Sequence, residues 1–326
     1  MSEPVHQALE AAARDALHAP SVFNSQPWTW RIDGASLELR ADPDRQLHTI
    51  DPDGHFLLLS CGTALHHAQV SLAAGGWSAE VERLRDGIDG EILARIVVVG
   101  QREPSLDAIH LHDALLRRRT DRRPFGDEAV SEADRRMIVL AAAAQQVRVH
   151  PVGPGELPML AIAVATAGAI EMADPAYRSE LIRWTNRPEW SRDGVPANTA
   201  VAKVPRRVPV REFVVAPNEG LPVEAGGDRG ALYLILHGEG NGRLDWLRAG
   251  EALSAVLLTA VSRGLAVAPI TDVLEVEHPR DLIAGMVAPG QHPYVLVRCG
   301  HSVDPTGIAA APRRTPAEVI DGQIGW

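Results

Sequence analysis

The chain has 326 residues, 45% of them hydrophobic and 23% charged, which suits one large or two ordinary soluble globular domains. Its formal net charge of −10 argues against nucleic acid or an anionic membrane as the main partner. Aromatics are 4%, so the core must rest on Ala, Val, Leu and Ile. The two cysteines, Cys61 and Cys299, lie far apart and suggest no disulfide scaffold, in keeping with a reducing cytoplasm.

In chain order, MSEPVHQALEAAARDAL has helical character. It lacks a basic start followed by an apolar block, so no secretory signal is expected. The helical run breaks at Pro20. A polar turn follows (Ser21, Asn24, Ser25, Gln26), then Pro27 and a strand-like run that holds Trp28 and Trp30, two of the seven Trp residues.

The stretch GTALHHAQVSLAAGGW from residue 62 resembles GEALSAVLLTAVSRGL from residue 250. Gly62 matches Gly250, Ala64 matches Ala252, Leu65 matches Leu253 and Gly76 matches Gly264. Both read as helices with an apolar stripe, broken in the first copy only by Gln69. Gly76 and Gly264 stand where a left-handed helix stop is expected. Strand-like runs follow each, ARIVVVG from 94 and YVLVRCG from 294. The matching glycines at both ends favour an internal duplication over chance likeness of two Ala/Leu helices.

Between the copies a helix is predicted to end near Arg119, and residues 120 to 127 are irregular or extended. Ser131 with Asp134 is a capping pattern that opens the next helix. MLAIAVATAGAI, residues 159 to 170, is too short to span a bilayer and reads as a buried helix. Residues 185 to 213 are rich in Pro, Arg and Asn, without a period, and such a length suits either an active-site lid or an exposed connection. HGEGNGR, residues 237 to 243, has Arg243 at the third glycine position of a dinucleotide loop and reads as a turn. The thirteen histidines include His66–His67 and His110/His112, whose spacing on a helix suits solvated or core histidines better than a metal site. There is no Walker loop, HExxH or nucleophile elbow. RRRTDRR, by contrast, places five arginines in seven residues of an acidic chain. Arg118 and Arg122 fall on one side, helical or extended, with Thr120 beside them when extended. Two guanidinium groups and a hydroxyl suit a phosphate monoester, although an arginine run alone is more often a solvated helix end.

Together these segments resemble the nitroreductase superfamily. APSVFNSQPW (19 to 28) is similar to its flavin-edge motif and RRTDRRPF (118 to 125) to its phosphate motif, with Thr120 in the Ser position. API (268 to 270) is similar to the loop against the flavin N5, and PRR (312 to 314) to its C-terminal basic contacts. The flavin-edge motif here precedes the phosphate motif, the reverse of the usual order. With the internal repeat, that order resembles the fused, two-repeat Acg-like branch.

The resemblance implies an α+β fold in which tandem nitroreductase-like repeats form a single-chain pseudo-dimer, with central sheets flanked by helices. Residues 1–105 would be the first half, and 106–326 the second, with a lid at 185–213. It implies FMN held by Pro20, Ser21, Asn24 and Gln26 at the ring, Arg118, Thr120, Arg313 and Arg314 at the phosphate, Arg122 at the pyrimidine edge, and Pro269, Ile270 and Thr271 near N5. Trp28 and Trp30 would pack the strand into the core. Where many members carry Gly after Pro-Ile-Glu, this chain has Thr271 and Asp272. The implied activity is transfer of hydride from NAD(P)H through flavin to a small nitro or quinone acceptor, with no side-chain acid or base required. The rival is a protein that stores or sequesters FMN under a lid, and a nucleic-acid-binding module is disfavoured by the net charge. The branch is also associated with stress responses. Only one flavin site has both motifs, so one FMN per chain is expected, with the second site filled by side chains. A monomer is expected to be self-sufficient, with further dimerisation left open.

Overall fold

The computed structural model describes residues 3–84, 91–185, 187–201, 206–211, 213, 227–304 and 307–321. Helix α1 (Glu3–Ala16) leads into strands β1 (Trp28–Asp33) and β2 (Ser36–Ala41), helix α2 (His55–Ala74), and strands β3 (Trp77–Arg83) and β4 (Ile92–Gln101). Helix α3 (Leu106–Arg117) and the extended segment after it cross to a second set: α4 (Glu132–Ala144), β5 (Arg148–Pro151), α5 (Leu157–Ala173), α6 (Pro175–Thr185), β6 (Leu232–Gly238), α7 (Arg243–Ser262), β7 (Ala266–Ile270), α8 (Asp272–Glu275), α9 (Glu277–Ala284) and β8 (His292–Gly300). The chain ends in α10 (Pro316–Val319) and β9 (Ile320–Asp321).

The two sheets repeat one order. The first runs β3-β4-β2-β1 with β9 added at its edge, and the second runs β7-β8-β6-β5. Strand β9 lies parallel to β1, pairing Trp30 with Ile320, so the C-terminal segment returns to the first sheet. The fold class is thus the expected mixture of helix and sheet, two sheets flanked by helices.

The glycines that matched in sequence touch in space. Helices α2 and α7 pack against each other at Gly62 and Gly250. A Cβ on Gly62 would lie 2.0 Å from the Leu247 carbonyl oxygen and 2.9 Å from the Gly250 Cα. A Cβ on Gly250 would lie 2.0 Å from the Leu59 carbonyl oxygen. Only glycine admits backbones this close. Gly76 and Gly264, with φ of 78° and 79°, end the equivalent helices in the left-handed region. His66 and Ser254, another pair 188 residues apart, share a hydrogen bond of 2.8 Å at the same interface. His66 and His67 are both buried, and burial lowers the His66 pKa to about 4.

The repeat also explains Gln69. Counting by the same interval, Thr63 and Thr271 correspond to Glu251 and Arg83. Glu251 is fully buried, and Arg83 grips it with Nε and Nη2, each at 2.8 Å. Gln69 Nε2 donates to the same carboxylate at 2.7 Å. The residue that breaks the apolar stripe therefore serves a buried ion pair, which would be costly with either partner missing.

One expectation is corrected. Helix α5, which contains residues 159 to 170, is not buried all round. Met159, Ile162, Ile170 and Met172 are exposed, while its one acidic residue, Glu171, is buried. A run whose one polar residue is Thr166 does not show which face turns inward. Here the inner face packs on α8 and α9, and Glu171 faces Arg211 at 3.8 Å. Trp28 and Trp30 are fully buried in the main core. Both cysteines are free and buried. Among the described residues no single helix is long and apolar enough to cross a membrane.

Candidate functional site

A cleft runs along the side of the α2–α7 pair. Its wider part is lined by Pro20, Ser21 and Phe23 of the polar turn and by Leu59, Ser60 and Thr63 of α2. Leu253 of α7, residues 268 to 272, and Thr120 and Arg122 complete it. A polar extension shares Pro20, Ser21, Thr120 and Arg122 and adds His18, Asn24, Arg118, Arg119 and Arg313. The four sequence motifs, scattered between residues 19 and 314, thus meet around one continuous space.

Local bonding accounts for each wall. The Ser21 hydroxyl accepts from the Gln26 amide at 2.9 Å, and the Val22 amide donates to the Ser60 hydroxyl at 3.2 Å. Thr63 donates from α2 to the Pro20 carbonyl at 2.5 Å. Between these ties Phe23, Asn24 and Gln26 adopt φ of 51°, 53° and 50°. Such angles cost a bulky residue about 1 kcal/mol or more and persist only where the surroundings enforce them. The arginine segment is extended because it lies on the second sheet. Thr120 bridges to Val267, the Asp121 amide donates to the Val267 carbonyl at 2.9 Å, and Phe125 bridges to Ser302. Arg298 of β8 donates to the Asp121 and Arg123 carbonyls at 2.8 Å while it pairs with Asp228 at 2.9 and 3.0 Å. A charged residue inside the apolar run YVLVRCG was a visible signal, and it marks the anchor of the phosphate-like motif.

The extension is strongly cationic and short of anions. Arg118 is 4% exposed, and its Nε and Nη1 have no partner among the described residues; the same holds for Arg313 Nε. Burial, with Arg313 and Arg119 nearby, lowers the Arg118 pKa to about 9. Burial and Arg119 lower Arg313 to about 10. Buried donors without acceptors are costly, and an oxyanion would satisfy them.

Two of the expected ring and phosphate contacts stand elsewhere. Gln26 is fully buried and spends its amide on the Asn24 and Arg192 carbonyls and on the Arg314 amide. Arg314 turns its guanidinium to the Gln26 and Trp28 carbonyls and to Asp42, so it braces the turn from outside the cleft. Its neighbour Arg313 enters the extension and is bonded to the Asn24 side-chain oxygen. Asn24 lines the extension, yet its amide nitrogen is already committed to the Gly194 and Pro312 carbonyls, each at 3.0 Å. Adjacent residues in an extended segment point to opposite sides, which the dipeptide Arg-Arg alone does not resolve.

Parts of the 185–213 segment wall the same space; residues 186, 202–205 and 212 lie outside the described residues. Val210, Arg211 and Phe213 line the wide part, and Val195, Pro196 and Thr199 line the extension. Arg122 stands 4.8 Å from the Phe213 ring centre, and Phe213 meets Phe23 edge-on at 6.2 Å. Arg211 lies 4.7 Å from the Phe23 ring and bonds Glu275 at 2.6 Å. Sequence reasoning also missed Leu59, Ser60, Thr63 and Leu253, which look like ordinary core positions of the two helices. No group of residues suited to hold a metal ion occurs among those described.

No family model matches the chain. A Mycobacterium tuberculosis protein with the provisional name NAD(P)H nitroreductase is 39% identical over 98% of this chain and 92% of its own length. A second from that organism, provisionally named NAD(P)H nitroreductase acg, is 34% identical over 96% of this chain and 94% of its own. The chain belongs to this nitroreductase family, among its Acg-like members. Among solved structures, an FMN- and NADPH-dependent nitroreductase from a Sphigopyxis strain is similar over 66% of this chain and 99% of its own, at 21% identity and a TM-score of 0.41. A Bacteroides fragilis nitroreductase with bound FMN is similar over 63% of this chain and 93% of its own, at 14% identity and a TM-score of 0.38.

Proposed function

We propose that the chain is an FMN-binding oxidoreductase of the nitroreductase type, which passes reducing equivalents from NAD(P)H to a small nitro or quinone acceptor. The observation that carries this reading is the pairing of an apolar cleft with a buried arginine extension whose donors lack acceptors. A flat heteroaromatic ring fits the first and a phosphate the second. Arg118, Thr120 and Arg313 would hold the phosphate, and Arg122 would stand toward the ring. Pro20, Ser21, Pro269, Ile270 and Thr271 would line the ring's flanks. When bound, the flavin supplies the redox chemistry. The chain's residues bind it, keep water from it and place positive charge beside it.

The repeated sheet order and the Gly62–Gly250 contact support reading the chain as two nitroreductase-like halves paired as a pseudo-dimer, with the boundary near residue 105. Arg83 and Glu251 occupy positions that the repeat equates with Thr271 and Thr63, and with Gln69 they form a buried cluster, which supports a pseudo-equivalent site closed to a second ring. One FMN per chain follows.

A second reading, storage of FMN under a lid, draws support from Val210, Arg211 and Phe213 over the wide part of the cleft. One experiment separates the two. FMN-loaded protein is mixed anaerobically with NADH or NADPH, and the flavin absorbance is followed. Bleaching followed by reoxidation with a nitroaromatic or quinone supports the oxidoreductase. Retained flavin that neither nucleotide bleaches supports storage. A protein that retains no FMN defeats both readings.

A further inference from the structure

We propose that Asp272 is the proton donor of this cleft, supplying to the acceptor's oxygen the proton that must accompany hydride. The inference rests on the oxidoreductase reading and assigns that reaction a side-chain acid.

Asp272 lines the cleft directly after the Pro269–Ile270–Thr271 wall and is 3% exposed. Its Oδ1 accepts the Val273 amide at 3.0 Å, which leaves Oδ2 to carry a proton. Behind it lies a cluster with more carboxyls than cations. Glu275 is fully engaged: Arg211 donates to Oε1 at 2.6 Å, Thr271 to Oε1 at 2.7 Å and Tyr177 to Oε2 at 2.8 Å. Three donors converge on Glu275, which takes the short bond from Arg211. Glu171 stands 3.8 Å from Arg211, with Oε1 unpartnered among the described residues. Three buried carboxyls, Glu171 of α5 with Asp272 and Glu275 of α8, surround the Arg211 guanidinium, which is already bonded to Glu275, so leaving Glu171 and Asp272 both ionised would crowd negative charge there. Two further cations line the same cleft: Arg298, paired with Asp228, and Arg122, which stands over the Phe213 ring. Burial and Glu275 push the Asp272 pKa upward, and burial raises that of Glu171 to about 8. Of these two carboxyls, Asp272 is the one that borders the cleft.

The step balances. A quinone takes one hydride at the expense of NAD(P)H and one proton to become a hydroquinone. A nitro compound takes the same pair, loses water and becomes a nitroso compound. In each case the Asp272 O–H bond breaks, its proton goes to the acceptor oxygen, and its electron pair stays on the carboxylate, which takes a proton back from water before the next turnover. Asp272 is nearly closed to solvent on the cleft wall, so a proton held there replaces one drawn from bulk water.

The test uses the FMN-loaded full chain as wild type, Asp272→Asn and Asp272→Glu. Infrared spectroscopy at neutral pH locates the proton through the carbonyl band of a protonated carboxyl group, and stopped flow follows reoxidation by a quinone. The expected result is an Asp272 band in the wild type minus Asp272→Asn difference spectrum, with the Glu171 band common to both, reoxidation slowed about a hundredfold in Asp272→Asn, and most of the rate restored in Asp272→Glu. A difference spectrum without a carboxyl band, or an Asp272→Asn variant that reoxidises within about twofold of wild type, overturns the donor role alone. A wild type that holds FMN yet reduces no acceptor defeats the parent function and the donor role together.

Discussion

Replacing Arg118 with methionine should move two quantities in opposite directions. The side chain is 4% exposed, two of its three nitrogens have no partner among the described residues, and Arg313 and Arg119 lie close enough to repel it. Its pKa falls from the usual 12.5 to about 9, a drop that corresponds to at most about 5 kcal/mol of destabilisation of the cation. Relaxation and water entry reduce this, so removing the charge should stabilise the ligand-free chain by about 1–3 kcal/mol. The same guanidinium should contribute about 1.5–3 kcal/mol to a bound phosphate, and its loss should weaken FMN roughly ten- to a hundredfold. Thermal melts of ligand-free protein read the first effect, and fluorescence titration with FMN reads the second. Arg117→Ala is the control: Arg117 is exposed and paired with Asp113 at 2.7 Å, so both quantities should stay unchanged. An Arg118→Met protein that melts lower than wild type and binds FMN equally well would refute the assignment of a poised anion site.

Three further outcomes are expected. Gly62→Ala or Gly250→Ala should cost at least about 2–3 kcal/mol in denaturant melts, because the new Cβ meets backbone oxygen at 2.0 Å; a loss below about 0.5 kcal/mol would contradict the helix contact. Phe213→Ala should speed dithionite reduction of the FMN-loaded protein several-fold by opening the 185–213 wall of the cleft, and an unchanged rate would make that wall peripheral to access. Glu171 has a raised pKa of about 8 in the fold, so its contribution to stability is complete below its ordinary 4.5 and is lost as the pH rises through about 8. Glu171→Gln should therefore gain melting temperature on wild type between about pH 5 and pH 9, whereas a pH-independent difference would mean that the carboxyl is already ionised.

Much of the site could be read from the sequence because its chemistry depends on residues with few substitutes. Glycine at 62 and 250 records a backbone contact, and paired arginines with a threonine record an anion. What could not be read is which way a side chain turns once such segments pack. Arg313 and Arg314 look equivalent in sequence, yet one enters the cleft and the other braces the turn at Gln26 and Trp28. Gln26 looks like a ligand contact, and it is instead used up by the backbone of a segment 166 residues away. Helix α5 buries Glu171 beside Arg211 and shows apolar residues outside, a choice of face that its composition does not reveal. Asp272 was visible as a departure from the family pattern. Its setting depends on Glu171, Tyr177, Arg211 and Glu275, which only the fold assembles.

The measurement that bears most directly on the central claim is the amount of flavin held by one chain. Protein saturated with FMN and freed of excess by gel filtration is denatured, and the released flavin is measured against protein concentration. One FMN per chain is expected, held where Arg118 and Arg313 converge, with the pseudo-equivalent position closed by Arg83, Glu251 and Gln69. Two FMN per chain would contradict the asymmetric site, and none would contradict the flavoprotein itself.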